Sequence, residues 1–281
     1  MSRQVPWWGK IGAKLFLSRV PIAYRLWSRI GIFRHGRMGE DHYADDVFDF
    51  HLAEAGMPPP PGAVCLEVGP GDSLYTAINA KRAGFARSIL VDVGDFADRD
   101  IEKFKAVARD RGMAEERMAR WETLDAALSD LDAAYLTRGI PDLATLPDDS
   151  VDFAFSHAVL EHVRKGEYAE FLRQLKRVLK PGATTSHQVD LQDHLQNGLN
   201  NLRFSDAVWE TDFFANAGFY TNRLSIGEHE AAFKGAGLAI TKLEPQRFSA
   251  PAIARGALAR QFRDRSDVEL LVRGFHIVAR A

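Results

Sequence analysis

Glu67, Gly69 and Gly71 alternate along the segment Glu67-Val68-Gly69-Pro70-Gly71-Asp72-Ser73, and Asp92 follows 21 residues beyond Gly71. Two glycines so placed let a backbone turn tightly and approach a ligand with no Cβ in the way, and a helix starting just beyond them offers unpaired N–H groups. A carboxylate two residues before the first glycine suits a cationic, zwitterionic ligand and would repel a pyrophosphate. Asp92 closes the next apolar run, where a carboxylate can accept both hydroxyls of a ribose, a hydrogen bond to a charged group contributing about 1.5 to 3 kcal/mol. The plainer reading of Asp92 is a solvated turn residue in Asp92-Val93-Gly94. A nicotinamide oxidoreductase with the G-x-G-x-x-G turn would use the same architecture, but Leu74 stands where its third glycine permits close helix packing. A silent binding module would have lost this loop, which is intact.

A second set of residues can move protons: His157, His162, His187, Asp190, Asp193 and His194. His157 and His187 to His194 fall just after two apolar runs, where bases are expected to meet a ligand lying beyond strand ends. His187 and Asp190, three apart in a strand-like run, should point to opposite faces, whereas Asp190 and His194 share a face if a helix begins there. His162 reads as structural. Asp190, Asp193 and His194 could hold magnesium through hard ligands, yet acid-rich turns usually face water and no metal is expected.

The elements that must position these residues alternate. Ala63 to Val68 reads as a strand, Ser73 to Ala83 as a helix and Ser88 to Val91 as a strand, the βαβ unit of a parallel sheet. Strands near Ala134 to Thr137, Val151 to Ser156 and Ala183 to Val189 follow, with a helix over about Tyr168 to Leu179. A helix near Glu228 to Ala236 and strands near Leu238 to Leu243 and Glu269 to Ala279 close the chain. This rhythm predicts an α/β, doubly wound, mostly parallel sheet with helices on both faces. The run Pro58-Pro59-Pro60-Pro61-Gly62 marks a boundary, so residues 1–61 are expected to form an N-terminal helical cap and 62–281 the main domain, with a lid insertion at about 191–226.

Five ordered segments carry a family resemblance: Glu67 to Ser73, Asp92, Leu146 to Asp152, Ser156-His157-Ala158-Val159-Leu160-Glu161-His162-Val163, and Leu179-Lys180-Pro181-Gly182. Over about residues 62 to 190 the chain resembles class I S-adenosylmethionine-dependent methyltransferases, most of all the group containing the ubiquinone and menaquinone methyltransferases. The resemblance implies a Rossmann-like sheet of seven strands whose last, Glu269 to Ala279, is antiparallel. It also implies S-adenosylmethionine as cofactor, its methionine end on Glu67, Gly69, Pro70, Gly71 and Ser73, its ribose on Asp92 beside Val93, and Ser156-His157 lining the methyl-transfer site. Where relatives carry an acidic-Ala pair before the Leu-Pro element, this chain reads Gly139-Ile140-Pro141-Asp142-Leu143-Ala144, which leaves the adenine contacts unplaced.

Methyl transfer from a sulfonium needs in-line alignment above all, and a base only where the acceptor ionises poorly. A hydroxyl acceptor needs one, for which His157, His187, His194 and Asp190 are the candidates. A weaker likeness to methyltransferases of bacterial polysaccharide biosynthesis points to a sugar or glycan hydroxyl, with N- or C-methylation of a small metabolite as the rival reading. Residues 187–224 are too aromatic for a solvated linker; they lid the acceptor pocket or pack the N-terminal helices onto the core.

The net charge of −2 hides an asymmetry, since Met1 to Arg37 holds eight Lys or Arg and no acidic residue, leaving 28 basic against 38 acidic residues. With Trp7, Trp8 and Trp27, this stretch is read first as a cap with a solvated basic face, and second as a contact for a membrane surface or lipid-linked acidic substrate. Nucleic acid is not expected as a partner. Basic residues interrupt every apolar stretch near the start and no run is long enough to span a bilayer, so a cytoplasmic enzyme is expected. The lone Cys65 reads as a small buried hydrophobe.

Overall fold

The computed structural model describes Gly9, Ile11 and residues 41–56, 58–193 and 196–281. Seven strands form one sheet: β1 Val64–Val68, β2 Arg87–Val91, β3 Ala133–Leu136, β4 Val151–His157, β5 Leu179–Asp190, β6 Ala239–Arg247 and β7 Val272–Arg280, in the order β3-β2-β1-β4-β5-β7-β6. The first five in that order run parallel, and β7 is antiparallel to both β5 and β6. This is the doubly wound, mostly parallel sheet that the strand and helix rhythm predicts.

Apolar residues on both faces explain why helices cover both. Cys65, Leu90, Phe153 and Phe155 pack under α1 (Asp41–Glu54), α2 (Thr76–Ala83), α3 (Ile101–Asp110) and α4 (Leu124–Asp130). Leu66, Val68, Ile89 and Ala154 pack under α5 (Tyr168–Val178) and α6 (Ile226–Gly235). Because side chains alternate along a strand, Glu67, Phe155 and His157 face the α1 layer, while Ser156 and His187, a cross-strand pair, face the α5 and α6 layer.

Several boundaries differ from expectation for local reasons. The helix expected from Ser73 begins at Thr76, because Gly69 and Gly71 sit at φ +74° and +69° and the chain needs the next residues to complete the turn. β5 starts at Leu179, which pairs with Val151; Pro181 and Gly182 then form a bulge before pairing resumes at Thr184. β7 starts only at Val272, since Ser266 and Glu269 close a reciprocal cap on the turn Asp267–Leu270. Helices α3 and α4 were not anticipated, although Asp100 and Thr123 cap them and Phe104, Val107 and Ala108 make a buried stripe.

The N-terminal extension reaches the core itself. Ala44, Val47 and Phe48 of α1 share one buried cluster with Ile78 and Phe155. Trp7, Trp8, Trp27 and the basic residues of Met1 to Arg37 lie outside the described residues. Among the described residues no helix is long and apolar enough to cross a membrane. Cys65 is fully buried, and burial pushes its thiol well up.

Candidate functional site

The carboxyl ends of β1, β2 and β3 are tied together by backbone bonds. Gly69 N donates to the Val91 carbonyl at 2.8 Å, and Gly139 N to the Asp92 carbonyl at 2.7 Å. A Cβ on Gly69 would stand 2.4 Å from Val159 Cγ2, so the first glycine is required both by its φ and by the side chain lying on it. Asp92 accepts Gly71 N–H at 3.1 Å on one carboxylate oxygen and Val93 N–H at 2.7 Å on the other. Each oxygen keeps a second lone pair for a ligand hydroxyl. Asp92 therefore shapes the loop, as the turn reading of the sequence expected, and the expectation of a ribose contact falls on its remaining lone pairs. Burial pushes its carboxyl up to about 6, against the pull of those two N–H groups. Val93 is 78% exposed, an apolar side chain standing open beside the loop.

Glu67 is 2% exposed, and its Oε2 has no hydrogen-bond partner among the described residues. Burial, against the pull of the Thr76 hydroxyl and with the charge of Asp92 adding to it, pushes this carboxyl up to about 8. A buried carboxyl oxygen without a donor is costly to keep. A ligand ammonium placed there would favour the ionised form and supply the missing donors, which fits the amino-acid end of the cofactor. Ser73, at 5% exposure, is part of the buried floor of the turn.

At the end of β4 the structure builds something the sequence did not foretell. His157 is half-buried, and its Nδ1 lies 3.2 Å from Nε2 of His51, a fully buried residue of α1. Nδ1 of His51 lies 2.8 Å from Ser186 Oγ, which lies 2.9 Å from Nε2 of His276 on β7. His51 also stacks on Phe155 at 5.1 Å between ring centroids. Burial and the neighbouring His276 push His157 down to about 4, so its ring is neutral at pH 7. Among the described residues its Nε2 makes no hydrogen bond.

His187 does not join this group. It is fully buried on the opposite face, with Ser156 Oγ 2.7 Å from Nδ1, Thr185 Oγ1 2.6 Å from Nε2, and Phe233 of α6 packed against it. Burial, with His276 and His229 nearby, pushes it down to about 3. Both ring nitrogens are engaged and no acceptor can reach them, which removes His187 as a base. Ser156 goes with it: its hydroxyl serves His187, so only its backbone remains on the cofactor side. Alternation along the strand placed these two residues on one face and His157 on the other.

Asp190 lies on the face opposite His187, as its spacing predicted. Its Oδ1 accepts both the backbone N–H and the side-chain amide of Gln192, at 2.9 and 3.0 Å, so the carboxylate closes a turn. Asp193 accepts from Gln196 N, Asn200 N and Asn200 Nδ2. His194 lies outside the described residues, and with it any statement on a shared face or a metal ligand there. His162 bonds the Tyr220 carbonyl through Nδ1 at 2.7 Å, pinning residues 219–222 to the turn after β4.

Residues 196–226 form a packed element. Asn222 donates to the carbonyls of Leu160 and Val163 and, through its backbone, to that of Glu161. Arg223 pairs with Asp206 and Glu210 while its guanidinium lies over the rings of Trp209 and Phe262. Trp209, Phe219 and Tyr220 form a buried cluster with Ile11, so the aromatics bind this segment to an N-terminal residue. Beneath it lies a small cavity of about 20 Å³ in which Glu161, Asn201 and Arg223 meet apolar side chains such as Leu191, Leu202 and Val272, room for one water. Burial pushes the Glu161 carboxyl well up.

Comparison with known proteins follows the fold. A methyltransferase-domain family model matches residues 40–243, well over half of the chain. Among solved structures, an S-adenosylmethionine-dependent methyltransferase from Archaeoglobus fulgidus has a TM-score of 0.50 at 14% identity, over 92% of this chain and 100% of that one. One from Methanosarcina mazei has a TM-score of 0.49 at 16% identity, over 82% and 95%. Phosphoethanolamine N-methyltransferase 2 from Haemonchus contortus, in complex with S-adenosylmethionine, has a TM-score of 0.48 at 15% identity, over 82% and 51%. No curated protein matches the chain.

Proposed function

This chain belongs to the methyltransferase-domain family and is an S-adenosylmethionine-dependent enzyme, and from that premise we propose that it methylates a hydroxyl on a sugar, glycan or other small-molecule acceptor, with His157 as the base. The observation that carries this reading is the neutral, half-buried imidazole at the carboxyl end of β4, one residue beyond the Val68–Ser156 pair and so level with Gly69. An amine that arrives neutral attacks through its own lone pair, whereas a hydroxyl needs its proton taken as the oxygen attacks.

When bound, the cofactor supplies an electrophilic methyl on a sulfonium. The chain's residues do the rest. Glu67 holds the ammonium end, with Gly69, Pro70, Gly71 and Ser73 forming the turn against it; Asp92 accepts from the ribose; the exposed Val93 offers the adenine an apolar face. His157 receives the acceptor proton at Nε2. The basic stretch of Met1 to Arg37 favours an acidic acceptor, such as a phosphorylated or lipid-linked sugar.

The test is transfer of labelled methyl from the cofactor into glycan and metabolite extracts, followed by identification of the methylated atom. The expected product is a methyl ether, stable to mild base. Label recovered only on nitrogen or carbon would reject the reading.

A further inference from the structure

We infer that His51, Ser186 and His276 form a proton relay that carries the acceptor proton from His157 to Glu54 at the edge of the sheet. The inference rests on His157 being the base. Four residues from four elements, α1, β4, β5 and β7, meet in one line: His157 Nδ1 to His51 Nε2 at 3.2 Å, His51 Nδ1 to Ser186 Oγ at 2.8 Å, and Ser186 Oγ to His276 Nε2 at 2.9 Å. His276 Nδ1 then lies 3.9 Å from Glu54 Oε1, whose side chain is 22% exposed and bonded to Lys242 Nζ at 2.7 Å. The chain begins at the candidate base and ends at a carboxylate that water reaches.

From His157 to His276 the hydrogen bonds run in one consistent direction, and the last step, from His276 Nδ1 to Glu54, is a 3.9 Å approach that the Glu54 side chain must close before a proton can pass. His157 donates from Nδ1 to His51, His51 from Nδ1 to Ser186, the Ser186 hydroxyl to His276 Nε2, and His276 Nδ1 faces Glu54. As the acceptor oxygen bonds to the methyl carbon, the sulfonium C–S electron pair returns to sulfur and the hydroxyl proton passes to His157 Nε2. One proton then shifts along each link, and Glu54 takes the last and releases it to water. Every imidazole ends neutral, in its other tautomer, and returns by ring rotation or reverse exchange.

The surroundings favour passage over storage. Phe155 stacks on His51, and Phe50 lies over His276 with ring centroids 4.6 Å apart. A cation held among these rings would be poorly solvated, and burial pushes His51 and His276, like His157, below the ordinary histidine value. The charged groups facing the line are Glu54 from α1 and Lys242 and Glu244 from β6, all at its outer end. Tyr43 from α1 meets His157 edge-on at 6.1 Å.

The test separates relay from positioning. His276→Gln keeps an amide to bond Ser186 but cannot pass a proton, and Ser186→Ala removes the central hydroxyl with little change in volume. With labelled cofactor and whichever acceptor the extract assay yields, both variants should lower kcat about ten-fold or more, leave KM and S-adenosylhomocysteine affinity within two-fold, and reduce a multi-proton solvent isotope effect to a single-proton one. Independently of turnover, ¹⁵N spectra of the imidazoles should show the His157 resonances shifting on Ser186→Ala, two links away. Full kcat in His276→Gln, or an unchanged isotope effect in Ser186→Ala, overturns the relay while leaving the base in place. A harmless His157→Ala instead overturns the base, and that outcome is read from a different variant.

Discussion

The two halves of the sheet's carboxyl edge are built in opposite ways. Over β1, β2 and β3 the site comes from loops close in sequence, Glu67 to Ser73 and Asp92 to Val93, locked by short backbone bonds such as Gly139 to Asp92. Over β4 and β5 it comes from side chains gathered across the chain, with His51 bonded to residues 106 and 135 positions away. In the function proposed above, the cofactor is held by local turn chemistry, whereas proton handling is assembled by tertiary packing. The difference predicts that cofactor binding and proton transfer can be damaged separately.

The strongest break on the cofactor side is Gly69→Ala. The added Cβ meets Val159 at 2.4 Å in a backbone at φ +74°, and the expected loss is about 3 kcal/mol or more of stability. Thermal denaturation should show it, with partial recovery in Gly69→Ala combined with Val159→Ala. A wild-type melting temperature for the single variant would mean that the turn tolerates what its geometry forbids.

On the other side, His187→Ala should cost about 2 to 3 kcal/mol, since it leaves the Ser156 and Thr185 hydroxyls unpaired beside a cavity. Cofactor affinity and turnover should stay within a few-fold when measured below the melting range. The pH dependence has a definite sign. His157 and His187 titrate near 4 and 3 in the folded chain, so the unfolded chain takes up protons first as pH falls below about 6.5. Stability contributed by these neutral rings is present above that pH and lost towards pH 3, and His187→Ala should flatten the loss. A slope unchanged by the substitution would count against a buried neutral His187.

Much of the cofactor side was legible because its signals are short-range: glycines two apart, a carboxylate before them and an acid at the next strand end. The alternation of strands and helices predicts the parallel part of the sheet, while the antiparallel β7 came from the family resemblance. What could not be read was which way a strand-end side chain points relative to a partner far along the chain. Strand alternation opposes Ser156 to His157, yet both were assigned to one site; the pairing Ser156 with His187 across β4 and β5 shows why only one can serve it. His51 carried no local signal beyond its place on a helix, and neither did Ser186 or His276.

A smaller effect sharpens the cofactor side. Glu67, near 8 in the free enzyme, is mostly protonated at pH 7, and a bound ammonium favours its ionised form. Cofactor binding at pH 7 should therefore release about one proton, falling away above pH 9 and absent in Glu67→Gln. Calorimetry in buffers of differing ionisation enthalpy reads this number directly, and no release in the wild type would place the ammonium elsewhere.

The separation of the two sides is tested most directly by titrating S-adenosylhomocysteine into the wild type, Asp92→Ala and His157→Ala by calorimetry. Asp92→Ala should weaken binding by about 1.5 to 3 kcal/mol, while His157→Ala binds within two-fold of the wild type. Equal losses in the two variants, or no binding by the wild type, would contradict the account.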